Sequence, residues 1–299
     1  MKKYLKSKPL RRIFAAVLVA AAAVFLYFEN NALEVTNYIC ESERLPKEFD
    51  GMKVVQISDL HNKRFGKNTQ KLIKAVENQN PDFIFVTGDI IDGRRKGFDK
   101  VFEFASQVSK IAPVYYITGN HEFRLYEAEL EYLLDGLTAC GFVVLRDECV
   151  QPEFNGERFN LIGIDDFAPE ELRLKKLGFD EKEVVKRVKE YGKEKIETNV
   201  QEELFNILLF HRPNFFKTYC ETGIDVVFSG HAHGGQLRIP FIGSPLEFLF
   251  GGYTQGVFED GGTSMIVSRG LGNSLFPFRI FNRPEVVTVT FKSKDAAEG

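Results

Sequence analysis

The sequence has few cysteines, and none of them lies in a metal-binding pattern. Cys40, Cys140, Cys149 and Cys220 are the four in 299 residues, and their spacing matches no zinc motif. A zinc site built from cysteine is therefore excluded. Cys140 and Cys149 could pair outside the cell, but unpaired and partly buried thiols are an equally good interpretation.

The chain also lacks an excess of positive charge and any internal linker. Its formal net charge is −3, and without the six basic residues of the first twelve positions 33 basic and 42 acidic residues remain, a net charge of −9. Nucleic-acid-binding proteins normally carry the opposite balance, so we expect no nucleic-acid partner. Residues 49–293 contain no Pro/Gly/Ser-rich linker, repeat or low-complexity segment. This predicts one large domain, followed by a polar tail at 294–299.

The N-terminus combines basic residues with an uncharged apolar run. Residues 1–12 contain no acidic residue, and residues 13–28 contain no charged side chain. We interpret 1–12 as a basic cytoplasmic tail, 13–28 as a transmembrane signal anchor and 29–48 as a polar connector, which places the domain on the extracytoplasmic side of the cell membrane. The apolar run spans about 24 Å as a helix, less than the roughly 30 Å hydrocarbon core. A cleaved signal and a buried soluble helix remain alternatives, although apolar residues follow the alanines at 20–23 and disfavour a cleavage site.

Strands and helices alternate in the first part of the domain. Apolar, β-rich runs are separated by segments with helical periodicity. The resulting βαβαβ order predicts a parallel sheet. The predicted strands are 53–58, 83–87 and 114–118, and the predicted helices are 69–79 and 98–108.

The second part of the domain is richer in strands and turns. A charged, helix-like stretch at 169–201 interrupts it, and we interpret this stretch as a solvated surface helix, with a lid over the site as the alternative. The predicted strands are 159–164, 205–210, 225–229, 264–268 and 286–291.

Each of the five histidines lies in a short segment that directly follows a predicted strand. Because the carboxyl ends of parallel strands meet at one edge of a sheet, we expect these segments to lie close together. Imidazole and oxygen donors together suit Mn, Fe, Zn or Co, and the donors are too many for one ion but enough for two if one carboxylate bridges them. The segments are Asp59-Leu60-His61, Gly88-Asp89, Gly119-Asn120-His121-Glu122, His211, and Gly230-His231-Ala232-His233.

These segments, in this order, resemble the motifs of the calcineurin-like metallophosphoesterase superfamily, over nearly all of residues 53–291. Later segments at 234–236, 267–272 and 282–285 resemble its bacterial membrane-associated single-domain branch, which is similar to enzymes that cleave the pyrophosphate of UDP-linked acylated sugars. The resemblance implies an α/β fold: a four-layer αββα sandwich of two mixed β-sheets flanked by helices, preceded by one transmembrane helix.

The resemblance also implies a role for each candidate residue. A water that bridges two divalent ions, of Mn, Fe or Zn, would attack the phosphorus in line. His121 would act as general acid toward the leaving oxygen or stabilise charge on the transition state. Glu122 departs from the family pattern, since many members have Asp after this histidine, but its longer carboxylate could still orient His121. One ion would be held by Asp59, His61 and His233, the other by Asn120, His211 and His231, and both by Asp89.

The implied activity is hydrolysis of a phosphodiester or pyrophosphate bond by a membrane-anchored enzyme, with a lipid-linked phosphoester as a candidate substrate. Two alternatives stay open. One is a phosphomonoesterase with the same site, and the other is a non-catalytic anchored binding protein that keeps the metals for stability. The presence of His121 argues against the second, because a purely structural site would not need it.

Two further segments permit two interpretations each. Asp92 and Arg94 follow Asp89, and we interpret them as a loop turn with a solvated arginine rather than as groups of the site. Residues 241–253 carry a high density of large apolar side chains. They either pack into the core or form an apolar rim of the site that could accept an acyl chain or touch the bilayer.

Overall fold

A computed structural model describes residues 8–273 and 276–293 of the chain. Most of the expected basic tail and all of the expected polar tail at 294–299 lie outside the described residues. The described helices are α1 Lys8–Asn31, α2 Gln70–Glu77, α3 Phe98–Val108, α4 Glu127–Ala139, α5 Ala168–Lys176, α6 Glu181–Glu197 and α7 Phe216–Tyr219. The described strands are β1 Glu34–Ser42, β2 Lys53–Ile57, β3 Phe83–Thr87, β4 Val114–Ile117, β5 Phe142–Val144, β6 Glu148–Val150, β7 Glu153–Phe154, β8 Glu157–Arg158, β9 Asn160–Gly163, β10 Asn206–Leu209, β11 Val226–Ser229, β12 Gly256–Asp260, β13 Thr263–Val267 and β14 Glu285–Ser293.

The first helix is longer than the apolar run that predicts it. α1 has 24 residues, which is about 36 Å at the usual helical rise and enough to cross a hydrocarbon core of roughly 30 Å. Its stretch Pro9–Asn31 is long and apolar enough to span a membrane, and only 11% of the most apolar window is buried. The interpretation of a buried soluble helix is therefore wrong.

The segment after this helix is part of the domain. β1 pairs in parallel with β14 along its whole length, from Glu34 beside Glu285 to Ser42 beside Ser293. This differs from the expected polar connector at 29–48. The side chains of β1 alternate between exposed and partly buried positions, so the strand has the mixed polarity of a sheet edge and lacks the apolar run of a central strand.

The first sheet is mixed and has the strand order β1-β14-β2-β3-β4-β5. β2, β3, β4 and β5 run parallel to one another, and β14 runs antiparallel to β2. The predicted βαβαβ order is confirmed, with α2 and α3 as the crossover helices. β3 is buried at all five positions, since both faces of this sheet are covered.

The second sheet is also mixed and has the order β12-β13-β11-β10-β9-β6. Its four central strands run parallel, and β12 and β6 are antiparallel edges. The stretch at 169–201, predicted as one helical segment, forms α5 and α6, and Gly178 lies between them with a φ of 87°. α6 buries Val184, Val188 and Ile196 and so covers the outer face of the second sheet.

Three apolar layers separate four layers of secondary structure. One layer lies between the first sheet and helices α2 to α4 and contains Val86, Phe104 and Leu133. The middle layer lies between the sheets, where the rings of Phe85 and Phe228 meet edge to face at 5.1 Å. The third lies beneath α5, α6 and α7. The αββα sandwich expected from the resemblance is confirmed, and all four cysteines in it are unpaired thiols.

Candidate metal centre

The candidate segments converge where the edges of the two sheets meet. Asp59, Asp89 and His121 follow β2, β3 and β4 of the first sheet, whereas His211 and His231 follow β10 and β11 of the second. All five therefore lie at the carboxyl ends of parallel strands, as expected for ligand sites in α/β proteins. The site is a junction of two sheets rather than the edge of one.

The backbone is unusual at the candidate ligands themselves. The φ angles of Asp59, His61, Asp89, His231 and His233 are 52°, 48°, 52°, 66° and 49°. Residues with a side chain rarely adopt this left-handed region, which costs of order 1–3 kcal/mol for each residue. Such strain persists only where the surrounding structure holds it, and it concentrates at functional sites.

Asp59, His61 and His233 form a first cluster of donor atoms. Nε2 of His61 lies 3.2 Å from Nε2 of His233, and Oδ1 of Asp59 lies 3.2 Å from Nε2 of His233. The other carboxylate oxygen of Asp59 accepts hydrogen bonds from the Ser58 hydroxyl at 2.6 Å and from the backbone amide of His231 at 3.0 Å. The three side chains are buried, and their donor atoms lie close enough to share one ion.

Asp89, His211 and His231 form a second cluster. Nε2 of His211 lies 3.3 Å from Oδ2 of Asp89 and 3.3 Å from Nδ1 of His231. Nδ1 of His211 lies 2.7 Å from the backbone carbonyl oxygen of Thr87. Because that oxygen can only accept, Nδ1 carries a proton and Nε2 faces the cluster, where it can bind either a second proton or a metal ion; this is the usual orientation of a metal-binding histidine. Asn120 lines a cavity together with Asp89 and His231 of this cluster.

Asp89 lies between the two clusters. Its Oδ2 is 3.6 Å from Nε2 of His61 in the first cluster and 3.3 Å from Nε2 of His211 in the second. Burial lowers the pKa of His211, but the charge and hydrogen bond of Asp89, together with the charges of Asp59 and Asp166, outweigh burial and raise that pKa to about 10. The negative charge of Asp89 favours a proton on His211, and the same charge would favour a metal ion in place of that proton.

The donor set fits divalent ions. Oδ1 of Asp59 and Oδ1 of Asn120 are buried and have no hydrogen-bond partner within the described part of the chain. An unsatisfied buried acceptor costs about 1–3 kcal/mol, and two imidazole nitrogens that face each other, such as those of His61 and His233, need a shared proton or cation. Metal ions would satisfy these atoms, and mixed nitrogen and oxygen donors suit Mn, Fe or Zn.

His121 lies against both clusters, and its donor atoms form a third group with those of His61 and Asp89 that is close enough to share an ion. Its Nε2 is 4.0 Å from Oδ2 of Asp89, and its Nδ1 is 3.6 Å from Oδ1 of Asp92 and 3.3 Å from Nη1 of Arg124. Asp92 is buried, whereas Arg94 is exposed. The predicted loop turn with a solvated arginine is confirmed, because Oδ1 of Asp92 accepts a hydrogen bond from the backbone amide of Arg94 at 3.1 Å. The carboxylate of Asp92 also faces His121, and its backbone amide donates to the side chain of Asn62 at 2.6 Å.

Glu122 has a different environment from the one expected. Its carboxylate accepts hydrogen bonds from the backbone amides of Asp89, Gly119 and Ile91, at 3.0, 2.7 and 3.3 Å. It therefore holds together the loops after β3 and β4, while the groups that face Nδ1 of His121 are Asp92 and Arg124. The short helix at Glu122–Arg124 turns the side chain of Glu122 inward, where it is completely buried. The carboxylate therefore contacts these backbone amides rather than the ring of His121.

A cavity of about 310 Å³ opens above the clusters. Asn120, His121 and Arg124 form a polar part of its lining, and Leu249, Phe250 and Phe276 belong to an apolar part. Leu249 and Phe250 of the segment at 241–253 thus line the cavity, and Phe241, Ile242 and Phe248 are exposed, whereas Tyr253 packs against the core.

A buried network lies behind His233. Asn282 of this network belongs to the segment 282–285 that resembles the bacterial branch, but no feature of the sequence assigns it a place at the site. The side-chain amide of Asn282 donates to the backbone carbonyl oxygen of His233 at 2.7 Å. Nη2 of Arg279, a completely buried residue, lies 3.3 Å from Nδ1 of His233 and donates to the backbone oxygen of Gly272 at 2.6 Å. Arg124, in contrast, follows His121 by three residues, and this helical spacing could have placed it at the site.

An αββα sandwich with two clusters of histidine and carboxylate donors at the sheet junction defines a metal-dependent hydrolase. The sequence comparisons identify its family. Residues 52–235 match the calcineurin-like phosphoesterase family, and the chain belongs to that family. It is a metallophosphoesterase.

Relatives occur in bacteria and in a vertebrate. An uncharacterized metallophosphoesterase of Aquifex aeolicus is 34% identical over 290 residues, which cover 94% of this chain and 99% of the relative. An uncharacterized metallophosphoesterase of Bacillus subtilis is 28% identical over 305 residues, covering 98% and 99%. A protein of Danio rerio named transmembrane protein with metallophosphoesterase domain is 27% identical over 289 residues, covering 94% of this chain and 62% of that protein.

Proposed function

We propose that this metallophosphoesterase is a membrane-anchored, dinuclear phosphohydrolase that cleaves a phosphodiester or pyrophosphate bond, with a lipid-linked phosphoester as its substrate class. The observation that carries the dinuclear assignment is the position of Asp89. One oxygen of this carboxylate lies 3.6 Å from His61 and 3.3 Å from His211, which is the placement that a ligand shared by two ions requires.

Two sets of side chains would hold the ions. In this proposal Asp59, His61 and His233 hold one ion, Asn120, His211 and His231 hold the other, and Asp89 contacts both. When bound, two such ions supply Lewis acidity for the attacking water and neutralise charge on the phosphoryl group.

His121 would donate a proton to the leaving oxygen. Its Nε2 faces the cavity near Asp89, while Nδ1 faces the carboxylate of Asp92 at 3.6 Å. Burial lowers the pKa of His121, and the carboxylates of Asp89 and Asp92 oppose that shift. The pKa of His121 is lowered on balance, so the two carboxylates offset only part of the cost of burying the protonated ring that a general acid needs.

Arg124 would orient the phosphoryl group. Among the described residues that line the cavity, it carries the one permanent positive charge. A phosphodiester carries one negative charge and a phosphomonoester up to two, so a single cation in the lining favours the diester over the monoester, and the apolar walls favour an apolar substituent. The name of the zebrafish relative and the length and exposure of α1 support the membrane anchor. The basic residues among positions 1–12 support an extracytoplasmic location of the domain.

The test uses the full-length chain in detergent, loaded with Mn²⁺ and assayed on an aryl phosphodiester and on the matching aryl phosphomonoester. We expect faster turnover of the diester and about two ions per chain by elemental analysis. Asp89→Asn should lose metal and turnover together, whereas Asp135→Asn, the same change at an exposed position of α4, should lose neither. Full turnover in Asp89→Asn would contradict the proposal. Faster turnover of the monoester than of the diester would indicate a phosphomonoesterase instead.

A further inference from the structure

A large apolar surface lies exposed next to the cavity. We define the apolar rim as Phe241, Ile242, Phe248, Leu249, Phe276 and Phe281. Phe241 is fully exposed, and the exposed fractions of Ile242 and Phe248 are 76% and 75%. Burying one such side chain is worth about 1.5–3 kcal/mol, and soluble monomers rarely leave so many of them together in water.

The apolar rim is continuous with the N-terminal helix. The ring centroid of Phe281 lies 5.3 Å from that of Phe25 in α1. Beside this contact, Phe278 and Pro277 line a cleft together with Leu26 and Ala23 of the same helix. These residues of α1 lie within the stretch that is long and apolar enough to span a membrane. A bilayer around that stretch would therefore reach the rim as well.

The apolar rim is also continuous with the catalytic cavity. Leu249 and Phe276 belong to the rim and line the cavity that contains His121 and His231. The ring centroid of Phe276 lies 6.3 Å from that of Phe278, which lines the cleft beside α1, so apolar side chains run from the side of α1 to the opening above the metal clusters.

The charge of the surrounding segments indicates the partner. Residues 239–250 contain one charged residue, Glu247, and its carboxylate lies 3.7 Å from Nη2 of Arg238. In the segment 276–281, the charged residue is Arg279, which is completely buried. A surface with so little exposed charge fits acyl chains better than the mixed rim of a protein interface.

We propose that the apolar rim inserts into the bilayer leaflet into which α1 passes, so that the catalytic cavity opens at the membrane surface and receives phosphoesters from the lipid phase. This inference rests on the membrane anchor proposed above. It adds a second membrane contact, made by the catalytic domain itself.

The chain has no tryptophan, so single tryptophan variants report on one position each. The full-length variants Phe248→Trp in the rim, Val17→Trp in α1 and Leu177→Trp at the end of α5 are reconstituted into phosphatidylcholine vesicles with or without brominated acyl chains. All three positions are exposed in the structure. Bromine quenches tryptophan only at short range, so we expect most of the fluorescence of Phe248→Trp and Val17→Trp to be lost, and that of Leu177→Trp to be retained.

Each other outcome overturns the inference. Quenching of Val17→Trp alone would leave the anchor intact and remove the rim from the bilayer. If the rim tryptophan were blue-shifted but not quenched, a second copy of the chain would cover the rim instead. If neither Phe248→Trp nor Val17→Trp were quenched, the proposed membrane anchor would be wrong as well. The diester assay in detergent would remain an independent test of the proposed activity. Quenching of Leu177→Trp to the same extent would show nonspecific contact with lipid, and Phe241→Trp provides a second rim position if Phe248→Trp fails to fold.

Discussion

The buried carboxylate of Glu122 accepts a hydrogen bond from the backbone amide of Asp89 at 3.0 Å. It also accepts from Gly119 and Ile91, so one side chain fixes the loops that carry the candidate bridging carboxylate and His121. Burial raises the pKa of Glu122 to about 8, with a further contribution from Asp89, and the backbone amide of Gly119 opposes the shift. The geometry of the site thus depends on a residue that binds backbone rather than metal.

We expect Glu122→Gln to destabilise the domain and lower its metal content. The amide keeps one acceptor oxygen but turns an NH₂ group toward backbone N–H donors, which should cost about 1–3 kcal/mol. Thermal unfolding in detergent should show a Tm lower by several degrees. Glu131→Gln, the same change at an exposed position of α4, is the control, and equal Tm values for the two variants would contradict the role of Glu122.

Replacing His121 should separate catalysis from metal binding. His121→Ala removes the proposed proton donor and leaves the two donor clusters intact, so we expect wild-type metal content and a kcat lower by about 10²–10⁴-fold. His231→Ala removes a candidate ligand and should lower metal content and rate together. Elemental analysis and steady-state kinetics on the aryl phosphodiester distinguish the two, and loss of metal in His121→Ala would reassign His121 as a ligand.

The order and type of the central elements could be predicted because they depend on local pattern. β3 and α3 lie at the predicted residues, 83–87 and 98–108, since a fully buried strand is a short apolar run and an amphipathic helix has a period near 3.6 residues. β1 could not be predicted in this way. Its partner β14 lies about 250 residues away, and its side chains alternate without a strong apolar face.

The candidate donors could be predicted for the same local reason, whereas their neighbours could not. Each candidate histidine follows a strand directly, so the strand fixes its place in the fold. The contacts of Asp92 with His121 and of Asn282 with the loop of His233 depend on how loops fold over one another. The spacing of the motifs carries no information on such contacts.

Gly119 should be intolerant of a side chain because of Asp89. A Cβ at Gly119 would overlap Oδ1 of Asp89, so Gly119→Ala should displace the carboxylate between the clusters. We expect metal content and turnover to fall by a larger factor than stability, as measured by elemental analysis, kinetics and thermal unfolding. Gly136→Ala is the matched control, because its Cβ would overlap the ring of Phe102 between α3 and α4, far from the donors. Normal metal binding in Gly119→Ala would argue against the proposed place of Asp89.

The last turn of α1 should stabilise the catalytic domain. The side chain of Asn30 accepts a hydrogen bond from the backbone amide of Arg279 at 2.9 Å and donates to the backbone oxygen of the same residue at 3.3 Å. Asn31, its neighbour, is exposed and donates only within the helix, to Tyr27. Because Arg279 lies behind the loop of His233, the end of the proposed anchor is tied to the candidate metal centre.

We therefore expect Asn30→Ala to destabilise the full-length protein by about 1–3 kcal/mol, since it leaves buried groups at Arg279 without partners. Asn31→Ala should be neutral. The same contacts determine where a soluble fragment should begin. A fragment that begins at Glu29 keeps this turn and β1. A fragment that begins at Leu45 exposes the edge of β14 along its whole length and should aggregate. Thermal unfolding of the two variants and size-exclusion chromatography of the two fragments check these expectations. A monodisperse, fully active fragment from Leu45 would show that α1 and β1 are dispensable for the site.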